Sequence, residues 1–470
     1  MKINLVSHAS VVLDSNESVI WTDPWLSGKA FNNSWALLPE ASFDSSLLDK
    51  INYVWISHEH PDHFHIPTLR SLPASFKERV TVLYQKLNSE KMLAAFRQLG
   101  FKNIRLLPHR EAQQLDDGTI LYSYYVGVMD SCLAVKNTGA AVLNSNDAQI
   151  GTADCASIRR DVGKIDTLLT QFSIAFYSGL PEYDQRLRRM AQGILERIAA
   201  NHRDLGVMRT IPFASFIYYC SEENRYINQY HNTPRAVYEY FQDRRQAVAV
   251  LYPGDVLDTS QPWDSSAALE RYDQLYANSG RLMYDPPARV EFPEISRAFA
   301  NLCDGLHERY PSSMLKMLRT LTVRIPDLSK TVRLSIGRRS LIETDDSAIA
   351  DLAVGSQALH FAFANPFGFQ TLGISGRLVL NADSINWRMH HLLFVLNNAE
   401  ISLRPKYFFT RKTLGFLRER SSGGMNLLSY VGSRMRRLSP LENSDLKQTA
   451  DGLLNSDILI KPKKETQPQL

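Results

Sequence analysis

The 470-residue sequence is poor in cysteine: Cys132, Cys155, Cys220 and Cys303 lie far apart and form no C-x-x-C pair. That excludes a zinc ribbon, a Rieske iron–sulfur centre and a disulfide framework, and fits a reducing compartment. No run reaches the ~18 uninterrupted apolar residues of a membrane span. The opening MKINLVSHAS has neither a basic segment nor an apolar signal core, so a soluble, cytoplasmic protein without a transmembrane segment is expected. A G-x-x-x-x-G-K-[ST] phosphate loop, internal repeats and low-complexity blocks are also lacking. Net charge is only +4, and no nucleic-acid partner is expected. The charge is nonetheless uneven: residues 401–440 carry nine Lys or Arg against one acid, Glu419, which reads as a solvated face or a surface for an anionic partner.

Hydrophobic content of 44% and charged content of 22% are globular values, and the length predicts two domains or one domain with an appendage. The most informative stretch is INYVWISHEHPDHFH, residues 51–65. Asn52 to Ile56 has the β-branched and aromatic character of a buried strand, and His58, Glu59, His60, Asp62 and His63 follow at once. A strand that ends in H-x-H-x-D-H delivers three imidazoles and a carboxylate to one tight loop, enough for His58 and His60 to take one metal ion while Asp62 and His63 take a second. Asp62 and His65 are the candidate catalytic residues. His65 reads either as a proton carrier near pH 7 or as a surface histidine opening a helix.

Around this loop, Lys2–Asp14 and Ser18–Thr22 read as one hairpin leading to Asp23-Pro24-Trp25. Helices are expected over Pro67–Leu72 and Ser89–Leu99, with strands at Val80–Tyr84 and Ile104–Leu107. Gly118 to Leu143 reads as three strands, with Asp130 before the second and Asp147 after the third. Further strands are expected at Ile165–Phe172, Val207–Tyr219 and Ala247–Leu251, and helices at Leu187–Asn201 and Ala236–Arg244. Alternating strands and helices with hairpins in both halves predict an α/β fold of αββα type, two sheets face to face with helices outside and metal along one edge. An appended α+β region follows Asp258. The expected division is 1–258 for the metal-binding domain, 259–442 for a substrate-covering or accessory region, and 443–470 for a polar tail.

The HEHPDH loop with Asp147 downstream resembles the metallo-β-lactamase superfamily. VSHASVVLD, WTDPWLSGKAF, IPTL after the loop, MDSCLAVKNTGAAVLNSND and IPFASFIYYCSEENRYI resemble, more narrowly, the catalytic part of the CMP-N-acetylneuraminic acid hydroxylases and their relatives. The resemblance covers Met1 to about Asp258. It implies an αββα sandwich, His58 and His60 as ligands of a first metal, Asp62 and His63 of a second, and Asp147 as the bridging carboxylate. Two positions depart. Where a third histidine is usual, Tyr125-Val126-Gly127-Val128-Met129-Asp130 offers only Asp130. Where the last histidine is usual, Cys220-Ser221-Glu222-Glu223 stands, with His231 or one of the glutamates as substitute. His8 matches the pattern and is expected beneath the loop as a support; Asp23 and Glu59 are expected to orient ligating imidazoles.

Carboxylate in place of imidazole favours iron, two ions being expected, over zinc. Three readings follow: a non-haem (di)iron oxygenase acting on a small-molecule or carrier-bound substrate, with electrons from an external donor or the substrate; a zinc or manganese hydrolase of an ester, amide or phosphodiester; and a binding protein whose site has decayed.

Overall fold

The computed structural model describes residues 1–404 except 16–17, 88–89, 128, 346–348, 382–384 and 399–401. The tail 443–470 and nearly all of the basic stretch 401–440 lie outside the described residues. Two sheets dominate. In the first, seven strands run in the order 256–258, 2–5, 11–14, 19–22, 53–56, 81–85 and 103–107. The early strands pair antiparallel, and those from Val19–Thr22 onward pair parallel. In the second, six strands are ordered 209–213, 167–171, 141–146, 130–136, 120–126 and 113–114.

Apolar side chains of both sheets meet in one core, including Leu5, Val11 and Ile20 from the first and Leu121, Leu133 and Leu169 from the second. Outside the first sheet, Leu69, Phe76, Met92 and Phe96 from the helices Ile66–Ser71, Ala74–Arg79 and Lys91–Gln98 cover its other face. Outside the second, Cys155, Ile158 and Val162 of Thr152–Val162 do the same. This is the αββα sandwich expected from the alternation of periods. The core runs past Asp258: Ala268, Leu269 and Tyr272 of the helix Ser266–Ala277 belong to it, and Tyr272 stacks on Phe216 at 5.3 Å. A separate core from Ile295 to Phe394 joins a five-stranded sheet to the helices Phe292–Arg309, Ser356–Ala364 and Ile385–Asn398. No helix among the described residues is long and apolar enough to cross a membrane.

Three expected elements are corrected. The run Lys2–Asp14 is two strands, Lys2–Leu5 and Val11–Asp14, divided by a turn in which Val6 and Ser7 N–H both donate to Ser10 O. Val207–Tyr219 is likewise broken: Ala214 takes a left-handed conformation (φ 53°), so Arg209–Phe213 joins the six-stranded sheet while Ile217–Tyr219 pairs with Trp35–Leu37 in a separate three-stranded one. Ala247–Leu251 makes only an isolated bridge, Thr210 to Val248. None of these breaks is marked by a glycine, and Pro212 lies inside a strand rather than at its end.

Candidate metal centre

The parallel strands Val19–Thr22 and Tyr53–Ile56 end at the same edge, one delivering Asp23 and the other Ser57 and the HEHPDH loop. From the facing sheet, Ala141–Asn146 delivers Asp147, and its antiparallel neighbour begins with Asp130. The register Leu133 to Asn144 brings that beginning beside this end. Asp23 and Asn146 both lie at φ 39°, in the left-handed region that disfavours side chains, so both strand exits are held in a strained turn beside the candidate site.

Three overlapping groups of ligand-type atoms, each group within 4.8 Å, result: His58 with His60 and Asp130; His58 with His63 and Asp147; His8 with Asp62 and His63. Asp147 lies between two imidazoles, 3.7 Å from His58 Nε2 and 3.5 Å from His63 Nε2, while Asp130 Oδ1 is 3.9 Å from His58 Nε2. His60 Nε2, Asp62 Oδ1, His63 Nε2 and Asp147 Oδ1 are buried without a hydrogen-bond partner. Leaving such atoms unpaired is costly, and the ion-pair partners of Asp23, Asp62 and Asp147 among the described residues are all histidines. Bound cations would satisfy both the orphaned atoms and the excess negative charge, so the cluster fits metal.

Ser57, which the sequence reading passed over, ties the loop together. Its N–H and hydroxyl donate to the two oxygens of Asp23 at 2.8 and 2.7 Å, its Oγ lies 3.0 Å from His58 Nδ1 and 3.2 Å from His63 Nδ1, and its carbonyl accepts from Ser131 Oγ at 2.6 Å. Asp23 in turn sits 2.8 Å from His63 Nδ1, the orienting contact expected of it. Only its position at the strand end, immediately before the first histidine, could have signalled Ser57.

Burial lowers the pKa of His58, against the pull of Asp147, and of His60, where the neighbouring His58 adds to it. At His63 burial acts the same way, but Asp147, Asp62 and Asp23 outweigh it and hold the imidazole protonated well above its usual range. Burial opposes ionisation of Asp62 and Asp147, yet His63 keeps both below the ordinary carboxylate range. In the metal-free protein a proton on His63 stands where cationic charge is needed.

Other expected site residues lie differently. His65 is buried, not on the surface; it caps the helix Ile66–Ser71 by accepting from Thr68 N–H and stacks on Trp25 at 5.4 Å. Burial lowers its pKa to about 4. Glu59 accepts from Lys91 Nζ and Asn398 Nδ2 rather than from an imidazole. His231 is outside all three groups and lies edge-on to Tyr219, ring centres 5.4 Å apart. Glu223 forms a buried ion pair with Arg377, and Glu222 is exposed. A cavity of about 420 Å³ in the C-terminal region is lined by Arg297, Arg309, His360 and Phe363, but by none of the motif residues.

The sandwich and the histidine-rich loop at its edge are those of the metallo-β-lactamase fold, and residues 2–154 match the beta-lactamase superfamily domain. Among curated proteins the chain is similar to the cytidine monophosphate-N-acetylneuraminic acid hydroxylase of Danio rerio, 28% identical over 284 residues, covering 54% of this chain and 46% of the relative. It is similar also to that of Mus musculus, 26% identical over 302 residues, covering 57% and 50%. The chain thus spans about half the length of the curated relatives it matches. Solved structures with a similar fold include CmlA, a diiron beta-hydroxylase from Streptomyces venezuelae (14% identity, TM-score 0.39, 55% of this chain and 53% of that one). Another is an isothiocyanate hydrolase from Delia radicum gut bacteria (14% identity, TM-score 0.40, 55% and 98%). Likeness of that degree favours neither hydroxylation nor hydrolysis.

Proposed function

We propose that the protein is a non-haem diiron oxygenase that hydroxylates a small-molecule or carrier-bound substrate. The observation that carries the reading is Asp130, a carboxylate beside His58 and His60 where the superfamily usually has a third histidine. Nitrogen-rich four-coordinate sites suit zinc, whereas mixed imidazole and carboxylate sets with open positions suit iron that meets dioxygen. His58, His60 and Asp130 would hold the first ion, Asp62 and His63 would contribute to the second, and Asp147, near both His58 and His63, would serve both. Hydroxylation is also the activity named for the curated relatives.

Iron bound there supplies the activation of dioxygen, and the chain's residues set up that chemistry. Asp23 and Ser57 fix the ring orientation of His63 and His58. The appended C-terminal region, as far as it is described, covers the substrate against the metal edge. Its contacts support that role: Gln357 exchanges hydrogen bonds with Asn32, Arg377 donates to Asn32 O, and Asn398 donates to Glu59 in the motif. Inserting one oxygen atom into a C–H bond while the other leaves as water takes two electrons and two protons beyond those of that bond, supplied by an external donor or by further oxidation of the substrate.

The test is metal analysis of protein purified without added metal, alongside His60→Ala and Asp147→Ala. Two irons, with at least one equivalent lost in each variant while the fold persists, is the expected result. Zinc in place of iron would move the assignment to a hydrolase of an ester, amide or phosphodiester. Full metal content in both variants would remove the site assignment, and a stable metal-free protein would leave a binding protein with a decayed site.

A further inference from the structure

The second metal position lacks the histidine that the superfamily usually places near residues 220–223, and the structure offers a replacement from the opposite end of the chain. We infer that His8 is a ligand of the second metal ion, completing a set with Asp62 and His63; this rests on the metal-centre reading above. His8 is fully buried, its Nε2 is 3.2 Å from Asp62 Oδ2, and the same oxygen is 3.3 Å from His63 Nε2.

The His8–Asp62 separation is within hydrogen-bond reach and is also close to the spacing of two ligands on one ion. Nitrogen and oxygen ligands about 2.0–2.2 Å from one ion in tetrahedral geometry stand roughly 3.3–3.5 Å apart. A charge-assisted hydrogen bond between imidazolium and carboxylate is shorter, about 2.7–2.9 Å. His63 supplies the internal comparison: its Nδ1 is 2.8 Å from Asp23, a hydrogen bond, whereas its Nε2 faces Asp62 at 3.3 Å and Asp147 at 3.5 Å. His8 Nε2, at 3.2 Å, is a long hydrogen-bond partner of Asp62 in the metal-free protein and already stands close to the ligand–ligand spacing, on the same oxygen that His63 Nε2 faces. Of the competing residues, Glu223 is paired with Arg377, Glu222 is exposed, and His231, whose Nε2 is buried without a partner, lies outside the three ligand groups.

The backbone also fixes His8 for this role. It sits on the turn between the first two strands, where Ser7 Oγ donates to Trp25 O at 2.6 Å and Ala214 N–H donates to His8 O at 2.6 Å. Ala214 holds its left-handed conformation in making that contact. The imidazole lies edge-on to both Trp25 and His63, at 5.7 and 5.8 Å, so its tip is aimed by packing from two sides.

The experiment loads full-length wild type, His8→Gln and His8→Ala anaerobically with Fe(II), counts bound equivalents after desalting, and measures each affinity by chelator competition. His8→Gln sets an amide N–H near the place of Nε2, so it preserves a hydrogen bond to Asp62 while removing the imidazole lone pair. The expected result is two equivalents in wild type, and in His8→Gln one retained equivalent with the other weakened at least 100-fold. Circular dichroism of the metal-free forms separates this from misfolding, and His8→Gln carries the conclusion if His8→Ala does not fold. Two tightly held equivalents in His8→Gln would overturn the inference and leave the diiron reading standing, with His8 a support for Asp62. A single equivalent in wild type would overturn it as well, whereas no uptake by wild type would remove the metal-centre reading itself.

Discussion

His63 is held from two sides: its Nδ1 lies 2.8 Å from Asp23 Oδ2, and its Nε2 faces Asp62 and Asp147. The Asp23 carboxylate therefore keeps the proton on Nδ1, so that a cation can replace the one on Nε2. Asp23→Asn keeps the shape but replaces one acceptor oxygen by an NH₂ group. Loss of such an outer partner typically costs 10–100-fold in metal affinity. One metal equivalent should weaken by about that factor, read by chelator competition, with the circular dichroism spectrum unchanged. Wild-type affinity at both sites would show that Asp23 does not orient the ligand.

The same residue sets the pH dependence of the metal-free protein. His63 keeps its proton to higher pH when folded than when unfolded, so its stabilising contribution is complete below about pH 6.5 and is lost as pH rises through the raised folded value. His58, His60 and His65 have lowered folded values, so each costs stability as pH falls below about 6.5. Metal-free protein should be most stable near pH 6.5 and lose stability on both sides. Metal loading should abolish the alkaline loss, because the ion replaces the proton. Urea midpoints from pH 5 to 9 report this, and metal-free stability that keeps rising from pH 7 to 9 would refute it.

How much of this was legible depends on how local each signal is. His58, His60, Asp62 and His63 lie within seven residues of the strand Tyr53–Ile56, and the short run carries both the strand and its ligands. Asp130 and Asp147 needed only the strand pattern around them, because antiparallel neighbours necessarily bring a beginning beside an end. The resemblance implies a support role for His8, and the alternating run Lys2–Asp14 gives no sign of the turn on which it sits. That turn is closed by Ser10 O and by Ala214, some two hundred residues away, and not by any glycine or proline. The burial of His65 was hidden for a related reason: Trp25, which covers it, arrives from another loop. Ser57 has no motif of its own, and only the convergence of Asp23, His58 and His63 on its hydroxyl gives it a role.

Arg377 and Glu223 join the C-terminal region to the sandwich through an ion pair whose side chains are only 6% and 5% exposed. Arg377 also donates to Asn32 O. Removing one partner leaves a buried charge without compensation, a loss of about 3–5 kcal/mol. Arg377→Ala should be destabilised by that amount in urea unfolding, whereas Glu223→Leu with Arg377→Met should recover most of it, since a well-packed apolar pair avoids desolvation. A loss below about 1 kcal/mol in Arg377→Ala would mean that the pair is solvated in solution and does not anchor the region.

Asp130 separates the two enzymatic readings. It begins its strand just after a left-handed Gly127 (φ 59°), and its side chain remains 28% exposed, so a larger ring has room on the solvent side. Asp130→His would place a third imidazole beside His58 and His60 and convert a mixed set into the nitrogen-rich one that zinc prefers. The extra bulk should weaken metal binding generally, so the informative quantity is which metal is retained. After anaerobic reconstitution with equimolar iron and zinc, wild type should retain a higher iron-to-zinc ratio than Asp130→His, and the variant should lose oxygen-dependent turnover. An unchanged ratio with unchanged turnover would place Asp130 outside the set that touches the metal. The mixed-ligand argument for iron would then fall, and zinc hydrolysis would become the better assignment.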